Sequence, residues 1–437
     1  MFSLTKNVSR WGAVALSTVV VGTLAGCGSS GSGGGEPTQL SDGDVTISMA
    51  YWGGDTRVQQ TDAAIAAFEK QHPNITVQAE PADWTGYWDG LATRTAAGDM
   101  PDLVQMDELY LASYADRGAL ADLGALEIDT SDIDADALAA GKLDGTIYGL
   151  THSVGMYALV ANTDLFEKYG VEIPDDETWS WDDFAATAKE LTDKSGGEIA
   201  GTDQIGGFDV LSLKHWVRSD GGEVFGEDGK VTMDPASLAK MWTFETELQE
   251  SGAMLSPSAI VESFNAGISA NAMSTNKVGF AVGAATQIKT LTESSGSNLR
   301  LMKLPEPEGV HPASLKSSMY WSISSSSKHP AEAALLADFL ANSEEAGKII
   351  LTERGIPSNA KVREAIVDSL SDVDRAPIDY IDRVTVGPTP VVTPNGASTI
   401  EAILQRYTQE VFGGQSTPED AAQAFVDELQ GEIDNAR

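Results

Sequence analysis

The sequence predicts an α/β fold from three observations. Apolar and polar residues alternate over 45–49, a helical apolar face follows, and the same strand-then-helix order recurs up to a third strand over 102–106. That order implies a parallel sheet with right-handed crossovers.

Val45, Ile47 and Met49 alternate with Thr46 and Ser48, and the strand ends at Tyr51-Trp52-Gly53-Gly54. Ala64, Ile65 and Phe68 share one face of a helix that stops before Pro73. Residues 75–79 alternate again, a helical stretch runs through Leu91 and Ala97, and 102–106 is a more fully apolar strand. A second unit begins after Gly145-Thr146-Ile147-Tyr148-Gly149-Leu150, with a β-rich segment through His152, Tyr157 and Val160 to Asn162. Ser180 caps a helix with the face Phe184, Ala188 and Leu191, Asp183 suits its N-terminal dipole, and Gly196-Gly197 ends it. Helices are predicted around Trp242 and over 263–272, and strands over 278–282 and 320–323. Pro330 opens a helix carrying Leu335, Leu336 and Phe339. Thr417-Pro418-Glu419-Asp420 starts a last one, with Ala422, Val426, Leu429 and Ile433 on its face.

Ligands of a parallel α/β sheet gather beyond the carboxyl ends of its strands. Trp52, Asp55 and Arg57 follow the first strand, Trp84 the second and Asp107 the third. These five are therefore the first candidates for a site.

The chain has 437 residues and a formal charge of -37, with 65 acidic against 28 basic side chains. Such a surface disfavours nucleic acid and anionic headgroups as partners. Lys6 and Arg10 precede an apolar stretch from Gly12 to Leu24, so residues 1–26 have the layout of a secretory signal. The stretch is shorter than the roughly 20 apolar residues of a membrane span. Leu24-Ala25-Gly26-Cys27 resembles a bacterial lipobox, which implies acylation of Cys27 and a tether at the outer face of the cell membrane. The Gly- and Ser-rich segment within 27–43 reads as a flexible spacer. Cys27 is the single cysteine, so burial rather than a disulfide must hold the fold.

Signatures of catalysis are missing. There is no Gly-x-Ser-x-Gly elbow and no Gly-x-x-x-x-Gly-Lys loop. No histidine pair has metal-site spacing, and the run Asp132, Asp134, Asp136 fails as a calcium loop because Ala137 and Leu143 replace the required glycine and glutamate. No metal, cofactor or catalytic residue is expected.

Several segments, in order, resemble the family 1 extracellular solute-binding proteins of ABC importers, the sugar-binding lipoproteins. They are Tyr51-Trp52-Gly53-Gly54-Asp55-Thr56-Arg57, Phe68-Glu69, His72-Pro73-Asn74-Ile75 and Ala97-Gly98-Asp99-Met100-Pro101-Asp102. Tyr148-Gly149-Leu150, Asn162-Thr163-Asp164-Leu165-Phe166 and Thr178-Trp179-Ser180-Trp181 continue the series. The resemblance implies a type II periplasmic-binding-protein-like fold. Each of its two lobes would be a mainly parallel sheet flanked by helices, with the ligand cleft between them. The lobes are expected at 44–153 with 313–363 and at 154–312 with 364–437. Hinge closure would trap a sugar and present it to a membrane permease, unaltered, from a monomeric carrier.

An indole stacks on the apolar face of a pyranose while carboxylate, guanidinium and amide groups pair with its hydroxyls. By motif, Trp52, Asp55, Arg57, Trp84 and Asp107 match family site positions, with Asp107 the leading carboxylate. His152, Tyr157, Trp181 and Trp216 are added from the crossovers and second lobe, and Tyr320 and Trp321 from the return strand. Competing readings remain. Asp55 and Arg57 could pair with each other, and His152 and Trp181 could be packing residues. Trp88, Trp179 and Trp242 read as core. Tyr51, Val58 and Ser317-Ser318-Met319 depart from the branch's commoner residues, which leaves the particular sugar open. A cationic ligand such as a peptide or polyamine, a carbohydrate hydrolase, and a receptor read by a sensor kinase are the other readings.

Overall fold

The protein is represented by a computed structural model that describes residues 39–436. The expected signal over 1–26, Cys27 and the first part of the tether lie outside the described residues. No helix among the described residues is long and apolar enough to cross a membrane.

Twelve strands form among the described residues: β1 Val45–Trp52, β2 Ile75–Ala82, β3 Leu103–Met106, β4 Lys142–Leu143, β5 Thr146–Ile147 and β6 Leu150–Gly155, then β7 Tyr157–Asn162, β8 Ala200–Thr202, β9 Val278–Ala284, β10 Leu299–Met302, β11 Lys316–Ile323 and β12 Ile356–Pro357. One sheet has the order β12-β6-β11-β3-β1-β2 and another β10-β7-β9-β8, while β4 and β5 form a separate hairpin. Asp144 and Gly145 turn that hairpin with φ of 49° and 83°, the left-handed pair that a tight two-residue turn requires. Each larger sheet carries its own helices, and the result is the expected two-lobed α/β fold. The chain passes between the sheets at Met156, over 303–315 and over 368–371.

In the first lobe the predicted alternation decides which face is buried. Val45, Ile47 and Met49 are buried beneath the helix Asp55–Gln71, whose Ala64, Ile65 and Phe68 face them. Phe68 meets Phe339 of the helix Pro330–Asn342 at 5.5 Å, and burying such a ring stabilises by about 1.5–3 kcal/mol. In the second lobe Ser180 and Asp183 form a reciprocal cap on the helix Trp181–Lys194. That helix directs Phe184 onto Phe280 of β9 at 5.3 Å.

Two expectations need correction. The sheets are mixed rather than mainly parallel: β1 pairs in parallel with β2 and β3, and β8 with β9, but β11 runs antiparallel to β3 and β6, and β7 antiparallel to β9 and β10. The reason is connectivity, because β11 enters its sheet from the other lobe rather than through a helical crossover on the same sheet. The helix expected over 263–272 is instead Pro257–Asn265, started by the Ser256 cap, and turns follow it.

Candidate functional site

The carboxyl ends of β1, β2 and β3 and the start of β11 form one edge of the first sheet, and this edge faces the second lobe. Trp52 closes β1, and Trp84 opens the helix Trp84–Ala97, capped by Asp83, which accepts from the Gly86 amide at 2.8 Å. The two indoles meet edge to face at 5.0 Å. Behind them Trp88 stacks on Tyr110 at 3.9 Å, and the Tyr87 hydroxyl donates to the Gln105 carbonyl. Trp84 is 43% exposed although its indole contacts three other aromatic rings. The buried rings hold an indole face at the lobe edge, as a stacking platform requires.

Beside this wall lies a buried polar layer. Asp107 caps the helix Glu108–Asp116 by accepting from the Leu109 amide at 3.0 Å, and its other oxygen is 3.5 Å from Lys316 Nζ. Glu108 pairs with Lys214 of the helix Val210–Ser219 and accepts from Thr393 Oγ1 at 3.2 Å. Tyr157 donates to Asp209, which caps that same helix. Burial pushes the Tyr157 phenol well above its ordinary value, and Asp209 adds to the effect. Burial works to lower the Lys316 ammonium, but Asp107, Glu108 and Asp209 outweigh it and hold the ammonium above its usual range. Glu401 is pushed up to about 7 by burial and then by Asp209. Glu108, Lys214, Lys316 and Tyr320 also border a cavity of about 20 Å³, room for roughly one water.

A larger cavity of about 630 Å³ opens at the helix Asp55–Gln71. Asp55, Arg57, Gln60 and Glu353 line it from the first lobe, and Thr286, Lys289 and Glu293 from the second. Arg57 does not pair with Asp55: it binds Glu353 at 2.9 Å and donates to the Trp52 carbonyl at 3.1 Å. That last bond joins the cavity to the aromatic wall.

The structure thus brings Trp52, Asp55, Arg57, Trp84, Asp107 and Tyr157 to the edge between the lobes. Tyr320 is almost fully buried there, its hydroxyl donating to the Ala140 carbonyl at 2.8 Å. Four candidates are placed elsewhere. Trp321, the next residue of β11, points to the opposite face and has no exposed surface in the first-lobe core. His152 packs against it at 5.9 Å, and burial, then the charge of Arg354, lowers its pKa to about 3. Arg354 lies over the Trp321 and Tyr51 rings at 5.1 and 5.2 Å and donates to Thr61 Oγ1 at 2.7 Å. Trp216 stands on the side of its helix away from Leu211 and Lys214, donates to the Ser237 carbonyl at 3.0 Å, and packs on Trp181 at 5.1 Å.

Glu108, Lys214, Lys316, Tyr110, Glu353 and Glu401 join the site without having been singled out in the sequence. Glu108 adjoins Asp107 beyond a strand end, and Lys214 lies between the apolar positions Leu213 and Val217, which are the signals that could have found them.

Comparisons with known proteins agree with this architecture. A family model described as bacterial extracellular solute-binding protein matches residues 54–347. An uncharacterized lipoprotein in the oleD 5' region of Streptomyces antibioticus is 30% identical over 220 residues, covering 48% of this chain and 46% of its own. A lactose-binding protein of Rhizobium radiobacter is 27% identical over 203 residues, 44% of this chain and 45% of its own. The chain therefore spans less than half the length of these curated relatives. A periplasmic oligogalacturonide-binding protein from Yersinia enterocolitica, solved with saturated digalacturonic acid, superposes with a TM-score of 0.76 at 22% identity, covering 90% of this chain and 100% of the other.

Proposed function

Because this chain belongs to the bacterial extracellular solute-binding proteins, we propose that it captures a sugar or oligosaccharide between its two lobes and hands it, chemically unchanged, to the permease of an ABC importer. The observation that carries the reading is the exposed Trp84 indole, supported by Trp52, Trp88 and Tyr110, beside the paired charges of Asp107 and Lys316. A flat apolar surface next to fixed hydrogen-bonding groups complements a pyranose, which has both an apolar face and a rim of hydroxyls. The lactose-binding relative and the oligogalacturonide-binding structure support the same ligand class. Closure of the lobes would bury the sugar and present a docking surface to the permease. In this reading the carrier is a monomer held at the extracellular face of the membrane by lipid on Cys27, and the relative described as a lipoprotein supports the tether.

A glycan panel screened by thermal shift tests the proposal, since a ligand that binds only the folded protein raises its melting temperature. At least one carbohydrate should do so. A shift with peptides alone would overturn the assignment.

A further inference from the structure

Tyr110 supports the aromatic wall with its ring and leaves its hydroxyl uncommitted. The ring lies 3.9 Å from that of Trp88 at 26° and 6.3 Å from that of Trp84, so it is part of the packing beneath the exposed indole. The hydroxyl donates to no described residue, and Tyr110 is only half-buried, with its oxygen open to solvent. Three other phenols at this edge are already engaged: Tyr87 donates to the Gln105 carbonyl, Tyr157 to Asp209 and Tyr320 to the Ala140 carbonyl.

The chain sets an acceptor beside this donor. Asp107 caps the helix Glu108–Asp116 and Tyr110 is the third residue inside it, the two positions whose side chains meet in a reciprocal cap. The Tyr110 amide donates to the Asp107 carbonyl at 3.1 Å, which fixes that first turn. One Asp107 carboxylate oxygen accepts from the Leu109 amide at 3.0 Å, and the other stands 3.5 Å from Lys316 Nζ. An ionised carboxylate has lone pairs for further donors, and 8% of the Asp107 side chain remains exposed to receive one. Burial raises the Tyr110 phenol above its ordinary value, and the charges of Asp107 and then of Glu401 from the second lobe add to the effect. The hydroxyl therefore keeps its proton and is a donor.

A ligand group lying between these two side chains has to accept from Tyr110 and donate to Asp107. A sugar hydroxyl does both. An ammonium has no lone pair to accept with, and an ionised carboxylate has no proton to give. We propose that Tyr110 Oη and the Asp107 carboxylate bracket one hydroxyl of the sugar ring stacked on Trp84, so that this position of the ligand must carry an uncharged hydroxyl. Tyr110 is then a specificity-determining residue as well as a support for the indole. This inference rests on the carbohydrate reading above and adds to it the chemistry of one position.

The test takes as probe whichever of lactose, maltotriose, xylotriose and arabinotriose gives the largest thermal shift. That sugar and its monodeoxy analogues are titrated calorimetrically into wild type and Tyr110→Phe. The substitution keeps the ring and removes only the hydroxyl, so the melting temperature of the free protein should not change while affinity for the parent sugar falls about three- to tenfold. One analogue should bind wild type weakly and lose nothing further in the variant, because the group that Tyr110 contacts is already missing from it. Equal affinity of the two proteins for the parent sugar would overturn the assignment and leave the carbohydrate reading standing. A loss of the same size for every analogue would also overturn it, since the effect would then come from the aromatic support. No thermal shift with any of the sugars would overturn the carbohydrate reading and this inference with it.

Discussion

Lys214, in the helix Val210–Ser219 of the second lobe, is ion-paired with Glu108, which opens the helix Glu108–Asp116 of the first, so one buried contact joins the lobes across the cleft. Burial works to raise the Glu108 carboxyl, but the ammonium groups of Lys214 and Lys316 outweigh it and hold its pKa below the ordinary value. A depressed carboxylate contributes stability above its ordinary pKa and loses it as pH falls through the folded value. Closure should therefore weaken in acid.

Lys214→Met leaves Glu108 buried without its ion-pair partner, with only Thr393 Oγ1 and the more distant Lys316 ammonium to offset its charge, and breaking a buried pair typically costs about 3–5 kcal/mol. The variant should show a larger radius of gyration in small-angle scattering and a lower melting temperature. Adding Glu108→Leu should restore much of the loss, because the unpaired charge is then gone. A double variant as unstable as the single one would refute the pairing argument.

Glu401 provides a pH signature of opposite sign. Its ordinary pKa of 4.5 rises to about 7 through burial and then through Asp209. Between those values the folded chain keeps a proton that the unfolded chain releases, so stability falls as pH rises, by up to about 1.4 kcal/mol per pH unit. Glu401→Gln should flatten the fall of melting temperature across that interval. Some slope should remain, because burial also pushes Glu306 up to about 7. An unchanged slope would mean that Glu401 is solvated in solution.

The indoles Trp84 and Trp321, one at the lobe edge and one in the first-lobe core, should respond differently to truncation. Trp321→Ala opens a hole in the first-lobe core and should cost about 3–5 kcal/mol in urea denaturation. Trp84→Ala, at 43% exposure, should cost clearly less, the loss coming from its ring contacts alone. Equal losses would show that Trp84 is structural and would remove it from the site.

How much was legible in the sequence follows from the same residues. The first three strands and two helices were readable because local periodicity sets which side chains are buried, and the strand-end rule then located Trp52, Trp84 and Asp107. Tyr320 and Trp321 are adjacent on one strand, so only one can face the cleft, and nothing local says which. The antiparallel placement of β11 and the Glu108–Lys214 pair depend on chain crossings and on residues far apart in sequence, which no spacing reveals. His152 and Trp216 carried the right chemistry at positions whose side chains turn into the core or away from the cleft.

Asp107 has a structural and an electrostatic role that two substitutions separate. Asp107→Ala removes the cap of the helix Glu108–Asp116 and the partner of Lys316, so it should cost about 1–2 kcal/mol from the cap alone. Asp107→Asn keeps an acceptor for the Leu109 amide and removes the charge, so it should retain most of the stability while weakening ligand binding. Equal destabilisation by both would assign the loss to charge rather than capping.

The claim beneath all of these is that an intact carbohydrate is gripped against the indole wall. Titration of the best glycan from the panel into wild type and Trp84→Ala, with the ligand recovered and weighed by mass spectrometry, measures it most directly. The account predicts saturable one-to-one binding of unaltered sugar, weakened by about 1–3 kcal/mol in the variant. A sugar recovered in cleaved form, or equal affinity in the two proteins, would contradict it.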